Sequence, residues 1–182
     1  TGNPAAATLV VEESQLEITK TFVDPVTTPG ALARMEITVT NPTSSVLTTA
    51  TYTDDLNAML PGTTAASNGL VGCSGGASLV GSGTSNLTVT ISNLPAGQFC
   101  THRFFVQPPS GAVPGSYTNT ISDLSGTVGG LGITGPTATA SLQVRAIDAP
   151  SFSKAFAAPS VIVGETVDLT FTIDNTKGTD AI

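Results

Sequence analysis

Counting every second residue along Leu16–Phe22 puts Leu16, Ile18, Lys20 and Phe22 on one face of a strand, and Glu17, Thr19 and Thr21 on the other. The lysine thus falls on the apolar face. A cation there must be paired or neutralised, because an unpaired buried charge costs several kcal/mol. The same count puts Asp54 in register with Tyr52 and Leu56, and Asn119 in register with Tyr117 and Ile121. Lysine, acid and carboxamide together allow two outcomes. In a desolvated site the lysine is driven toward its neutral, nucleophilic form. It can then attack the asparagine carboxamide with loss of ammonia while the acid shuttles protons, which makes Lys20, Asn119 and Asp54 a candidate for an autocatalytic isopeptide crosslink. The same residues also fit a buried Lys20–Asp54 ion pair, with Asn119 filling the remaining hydrogen-bond sites.

Other groups are less suggestive. Cys73 and Cys100 are the only cysteines, too few for a Cys-only zinc site, and the single His102 does not complete one. An acidic, Thr-rich and Lys-poor chain fits an exported protein in which this pair oxidises, and the closed loop is worth about 3.5 kcal/mol in the chain-entropy model. Two separately buried thiols are the alternative. Asp54, Asp55 and Asp123 offer carboxylates for calcium, but their spacing matches no EF-hand loop, so no metal is predicted. His102 alternates with Cys100, Phe104 and Val106 and reads as a residue at the edge of the core. No nucleophile-elbow serine accompanies it, and Gly72–Gly83 lacks the lysine and helix of a phosphate loop. The expectation is a protein that is not an enzyme and uses no cofactor.

The elements that must position these residues are strands. Of 182 residues only 10% are charged, none is Trp, and Gly and Pro number 19 and 12. Thr and Val recur in short alternating runs, which suits a half-buried pleated surface broken by tight turns. The net charge is −7 and the six Lys and Arg are scattered, so neither a nucleic-acid partner nor an anionic membrane surface is expected. No run approaches the roughly 20 apolar residues of a membrane helix, so no membrane insertion is expected. The chain opens at Thr1 without a charged-then-apolar leader, which reads as a mature N-terminus or a cut from a longer protein.

Self-comparison sets the architecture. Ile18-Thr-Lys-Thr-Phe22-Val-Asp-Pro25 returns as Phe152-Ser-Lys-Ala-Phe156-Ala-Ala-Pro159. Lys20 and Lys154, Phe22 and Phe156, Pro25 and Pro159, Gly30 and Gly164, and Asn41 and Asn175 are all 134 apart (154 − 20 = 134). Fixed spacing of this length marks whole domains in tandem. Ala6–Val11 likewise resembles Ala140–Val144. Residues 1–13 therefore read as the last strand of a preceding repeat, 15–147 as a complete sandwich, and 149–182 as the first two strands of the following repeat. Within the complete unit, strands are expected near 16–23, 32–41, 47–55, 86–93, 98–107, 116–124 and 137–146, with another around 70–80. The fold class is all-β, an antiparallel immunoglobulin-like β-sandwich of seven or eight strands with partial neighbours at both ends.

Leu16-Glu-Ile-Thr-Lys-Thr-Phe22, Pro29-Gly30 before Ile37-Thr-Val-Thr-Asn41, Tyr52-Thr-Asp-Asp-Leu56 with Leu60-Pro-Gly62, Leu94-Pro-Ala-Gly97 and Tyr117-Thr-Asn-Thr-Ile121 follow one another in order. This succession resembles the conserved-repeat domains of large bacterial surface proteins, which are immunoglobulin-like or prealbumin-like. The resemblance implies an extracellular location at the bacterial cell surface and a spacer or stalk role in a fibre or adhesin. It implies neighbouring repeats as partners, and the Cys pair looks like that of a subgroup of these repeats. The unpaired edges of 1–13 and 149–182 suggest head-to-tail self-association by strand pairing. The alternative is a ligand-binding adhesin module that reads a host protein or glycan through loops such as Asn57–Ser85, although few aromatics there could form hot spots.

Overall fold

Alternation of apolar and polar residues governs where the chain becomes extended, and in the computed structural model it yields fourteen strands and one short helix over the described residues, 15–146 and 148–175. In chain order these are β1 Glu17–Phe22, β2 Val26–Thr27, β3 Ala33–Thr40, β4 Leu47–Asp55, α1 Leu56–Met59, β5 Thr64–Val71, β6 Gly76–Val80 and β7 Asn86–Leu94. They continue as β8 Phe99–Gln107, β9 Gly115–Ile121, β10 Ser125–Val128, β11 Leu131–Thr134, β12 Ala138–Val144, β13 Ser151–Phe156 and β14 Leu169–Asp174. The chain divides after Val144 into two compact units.

The first unit holds three sheets, ordered β1-β3-β8-β5, β11-β10-β4-β7-β6 and β2-β12-β9. Every pairing is antiparallel except β2 with β12. The first two sheets face one another. Their inward residues, among them Leu16, Ile18, Met35, Ile37, Tyr52, Leu87, Ile91, Phe104 and Val106, form one core. The third sheet closes the side of this sandwich, with β12 beside β1 and β9 beside β4 and α1. An all-β antiparallel sandwich is thus the fold, as the alternation implies. It has more strands than the seven or eight expected.

Three differences have local causes. The single strand expected near 70–80 is two strands in different sheets: β5 ends at Val71, the chain turns at Gly72 with φ at 69°, and β6 begins at Gly76. Asn57–Ser85 is accordingly not a loop region but carries most of α1 together with β5 and β6. The hairpin β10–β11 was not expected. Its turn is Gly129-Gly130, with φ at 57° and 83°, the pair of positive values that a two-residue hairpin connection demands.

The second unit repeats the opening of the first. Lys20 pairs with Ile37 across β1 and β3, and Lys154 pairs with Phe171 across β13 and β14, each shifted by 134. The outer pairs agree as well, Glu17 with Thr40 and Ser151 with Asp174. Gly30 and Gly164, at φ 77° and 95°, both take the left-handed conformation between the paired strands. The side chains of β13 and β14 are exposed, with Phe152 stacked on Phe171 at 5.8 Å. The segment expected to be the last strand of a preceding repeat, 1–13, lies outside the described residues.

Candidate functional site in the sandwich interior

Two cross-strand pairings, Lys20 with Ile37 and Ile37 with His102, put Lys20 and His102 in one row across β1, β3 and β8. From the facing sheet, β4 sends Tyr52 and Asp54, two residues apart and so on the same side. Each meets one member of the row. Lys20 Nζ donates to Asp54 Oδ2 at 2.7 Å, with both side chains fully shielded from solvent. Tyr52 Oη lies 2.9 Å from His102 Nδ1, and the two rings meet edge to face at 5.9 Å. The sheets are therefore tied through their interior by two polar bridges.

The electrostatics follow from burial. Loss of water lowers the Lys20 pKa below its ordinary value, opposed by the charge and hydrogen bond of Asp54. Desolvation likewise raises the Tyr52 phenol well above its usual value, with the Asp54 charge adding to it. Burial pushes His102 down to about 4, so it is a neutral imidazole at physiological pH. The sequence placed His102 at the edge of the core. The structure buries it completely, because β8 is flanked by β3 and β5 and its inner face meets Tyr52. The Tyr52–His102 bridge is the feature that sequence reading missed, although both residues stand at inward positions of their strands.

Asn119 joins this interior from the third sheet. On β9, opposite Ala140 of β12, it is buried, and its Nδ2 makes a long 3.5 Å contact with the carbonyl oxygen of Asp55. The adjacent residues Asp54 and Asp55 of β4 thus contact Lys20 and Asn119 respectively. Oδ1 of Asp54 and Oδ1 of Asn119 are both buried with no hydrogen-bond partner among the described residues.

The remaining acids have local partners. Asp55 caps α1, accepting from the backbone N–H of Asn57 at 2.9 Å and of Ala58 at 3.2 Å. Asp123 accepts from the backbone N–H and the hydroxyl of Thr53. Their carboxylates are spent on backbone and hydroxyl donors, and they do not converge with Asp54 on a common point. Cys73 and Cys100 form a disulfide between the β5–β6 crossover and β8. Cys73, Cys100 and His102 are the group among the described residues that comes within metal-binding distance. With both sulfurs in the disulfide, neither is a thiolate able to take a metal.

A family profile described as "Domain of unknown function (DUF7933)" matches residues 17–144, from the first residue of β1 to the last of β12. The chain belongs to this family. No curated protein matches the sequence. The chain shares its fold with solved cohesin modules. The cohesin of a type I Coh-OlpC–Doc435 cohesin–dockerin complex from Clostridium thermocellum is 8% identical, with a TM-score of 0.56 over 76% of this chain and 100% of that one. A cohesin module of a family 33 glycoside hydrolase from Clostridium perfringens is 9% identical, with a TM-score of 0.56 over 73% of this chain and 98% of that one. A non-cellulosomal cohesin from the archaeon Archaeoglobus fulgidus is 7% identical, with a TM-score of 0.54 over 72% and 91%. At such identities the likeness concerns the fold. It supports the β-sandwich implied by the conserved-repeat resemblance without selecting that particular repeat type. No helix among the described residues is long and apolar enough to cross a membrane.

Proposed function

We propose that this chain supplies a non-enzymatic spacer repeat of a bacterial cell-surface fibre or adhesin. The observation that carries the reading is the recurrence of the β1–β3 hairpin as β13–β14, 134 residues on and in identical register, which is the mark of domains strung in tandem. The interior supports it. A disulfide pins the crossover between sheets, and two buried polar bridges tie the sheets together, so the unit is braced against being pulled open. A disulfide also suits an oxidising extracellular compartment. Neighbouring repeats are the natural partners. Phe152, Phe156, Phe171 and Ile173 of the second unit are exposed, and further strands of that repeat, or the edge of a second copy in head-to-tail contact, would cover them.

The test is mechanical. Stretched from its two ends in a single-molecule instrument, the full chain should resist opening of the first unit up to high force. Opening at forces near the noise would remove the spacer reading. A second reading, a protein-binding module, is favoured by the near-complete coverage of cohesin modules, one of them solved in complex with a dockerin. Saturable binding of the full chain to an array of extracellular proteins and glycans would support that reading, and a blank array would support the spacer.

A further inference from the structure

We propose that Lys20 and Asn119 become joined by an intramolecular amide bond, with Asp54 as the proton carrier and no cofactor. Three observations converge. All three side chains are buried in the first unit, where a free ammonium and a free carboxylate are costly. Asp54 places its carboxylate on Lys20 Nζ at 2.7 Å, and the carbonyl of the next residue, Asp55, lies 3.5 Å from the Asn119 amide nitrogen, so the amine and the carboxamide contact adjacent residues of β4. Asp54 Oδ1 and Asn119 Oδ1, both buried without a hydrogen-bond partner, are both acceptors. One proton on Asp54 changes that, because a carboxylic acid donates to an amide oxygen. Burial favours such a transfer, since it lowers the proton affinity of Lys20.

The chemistry balances. A proton moves from the Lys20 ammonium to Asp54, leaving a neutral amine and a carboxylic acid. The amine attacks Asn119 Cγ while Asp54 hydrogen-bonds to the carbonyl oxygen, then carries the proton lost by nitrogen to Nδ2. The Cγ–Nδ2 bond breaks, ammonia leaves, and a Lys20–Asn119 amide remains with Asp54 protonated. No oxidant or reductant is needed. The product holds no buried charge, and the protonated Asp54 can donate to the new amide oxygen. The bond would tie β1 to β9, near the two ends of the unit. It stands independently of the spacer reading, because mass reports the bond and force reports the spacer.

The experiment uses the full chain. Intact mass should fall short of the sequence by one ammonia in addition to the two hydrogens of the disulfide, and proteolysis should yield a branched peptide joining the segments around Lys20 and Asn119. After full denaturation, an amine reagent should label Lys154 and Lys177 but not Lys20. Asn119→Ala and Asp54→Ala should each abolish the branched peptide, and both masses can be read even if a variant folds poorly. A wild-type mass lower only by the disulfide would overturn the proposal. So would loss of ammonia confined to an unbranched peptide, or full labelling of Lys20.

Discussion

The hairpins β1–β3 and β13–β14 share a sequence pattern, a register and a left-handed glycine, yet their side chains meet opposite surroundings. Phe22 is 6% exposed and its counterpart Phe156 is 62% exposed, while Ile37 and Phe171 stand at 0% and 58%. Lys20 is paired with Asp54, whereas Lys154 makes no ion pair among the described residues. Local sequence is thus enough to form the hairpin. The buried surroundings of the lysine come from the rest of the sandwich, in which β4 supplies its acid partner, Asp54.

The largest difference should appear when the first lysine loses its partner. Asp54→Ala removes both the counter-charge and the proton carrier, so Lys20 stays buried as an unpaired, uncrosslinked amine, and unfolding stability should fall by about 3–5 kcal/mol or more in chemical denaturation. Lys154→Ala should change it by less than about 0.5 kcal/mol. Equal effects would erase the contrast. Next in size is the disulfide, which exists only in the first unit. Cys73→Ser with Cys100→Ser should cost about 3.5 kcal/mol there and leave amide exchange in β13–β14 unchanged.

A slightly smaller effect is expected from pH. His102 has a folded pKa of about 4 against an unfolded value of 6.5, so below pH 6.5 the unfolded chain takes up a proton that the fold refuses. Stability of the first unit should therefore fall as pH drops from 6.5 to 4, by about 3 kcal/mol in all. His102→Gln should flatten this part of the profile. A slope that survives the substitution would show that His102 is not its source. The smallest effect concerns the second hairpin. Its exposed Phe152 and Phe171 should give weak, concentration-dependent association in sedimentation, and Phe171→Ser should reduce it; a strict monomer at all concentrations would contradict that.

Strand alternation made β1, β3, β4, β7, β8, β9 and β12 legible in the sequence, and with them the inward positions of Lys20, Asp54 and Asn119. A period of two gives a face but not the partner across the sandwich. Tyr52 and His102 could therefore be read as inward without being read as bonded to each other. The β5–β6 crossover was hidden because Gly72, Ser74 and Gly75 interrupt a stretch too short and polar to show alternation, and which sheet each half joins is a tertiary choice. Gly129-Gly130 is a hairpin signal that was present and passed over, since its flanking strands are only four residues each. The capping role of Asp55 was not legible because a four-residue helix leaves no periodic trace after its cap.

Native-state hydrogen exchange on the dilute full chain, comparing the amides of β1–β3 with those of β13–β14 in one sample, tests the contrast most directly. An isolated two-stranded hairpin is marginal in water, whereas the same hairpin inside a completed sandwich opens only with the whole unit. The amides of β1 and β3 should exchange orders of magnitude more slowly than those of β13 and β14. Equal protection in both hairpins would contradict the claim that the rest of the sandwich completes what the hairpin alone cannot.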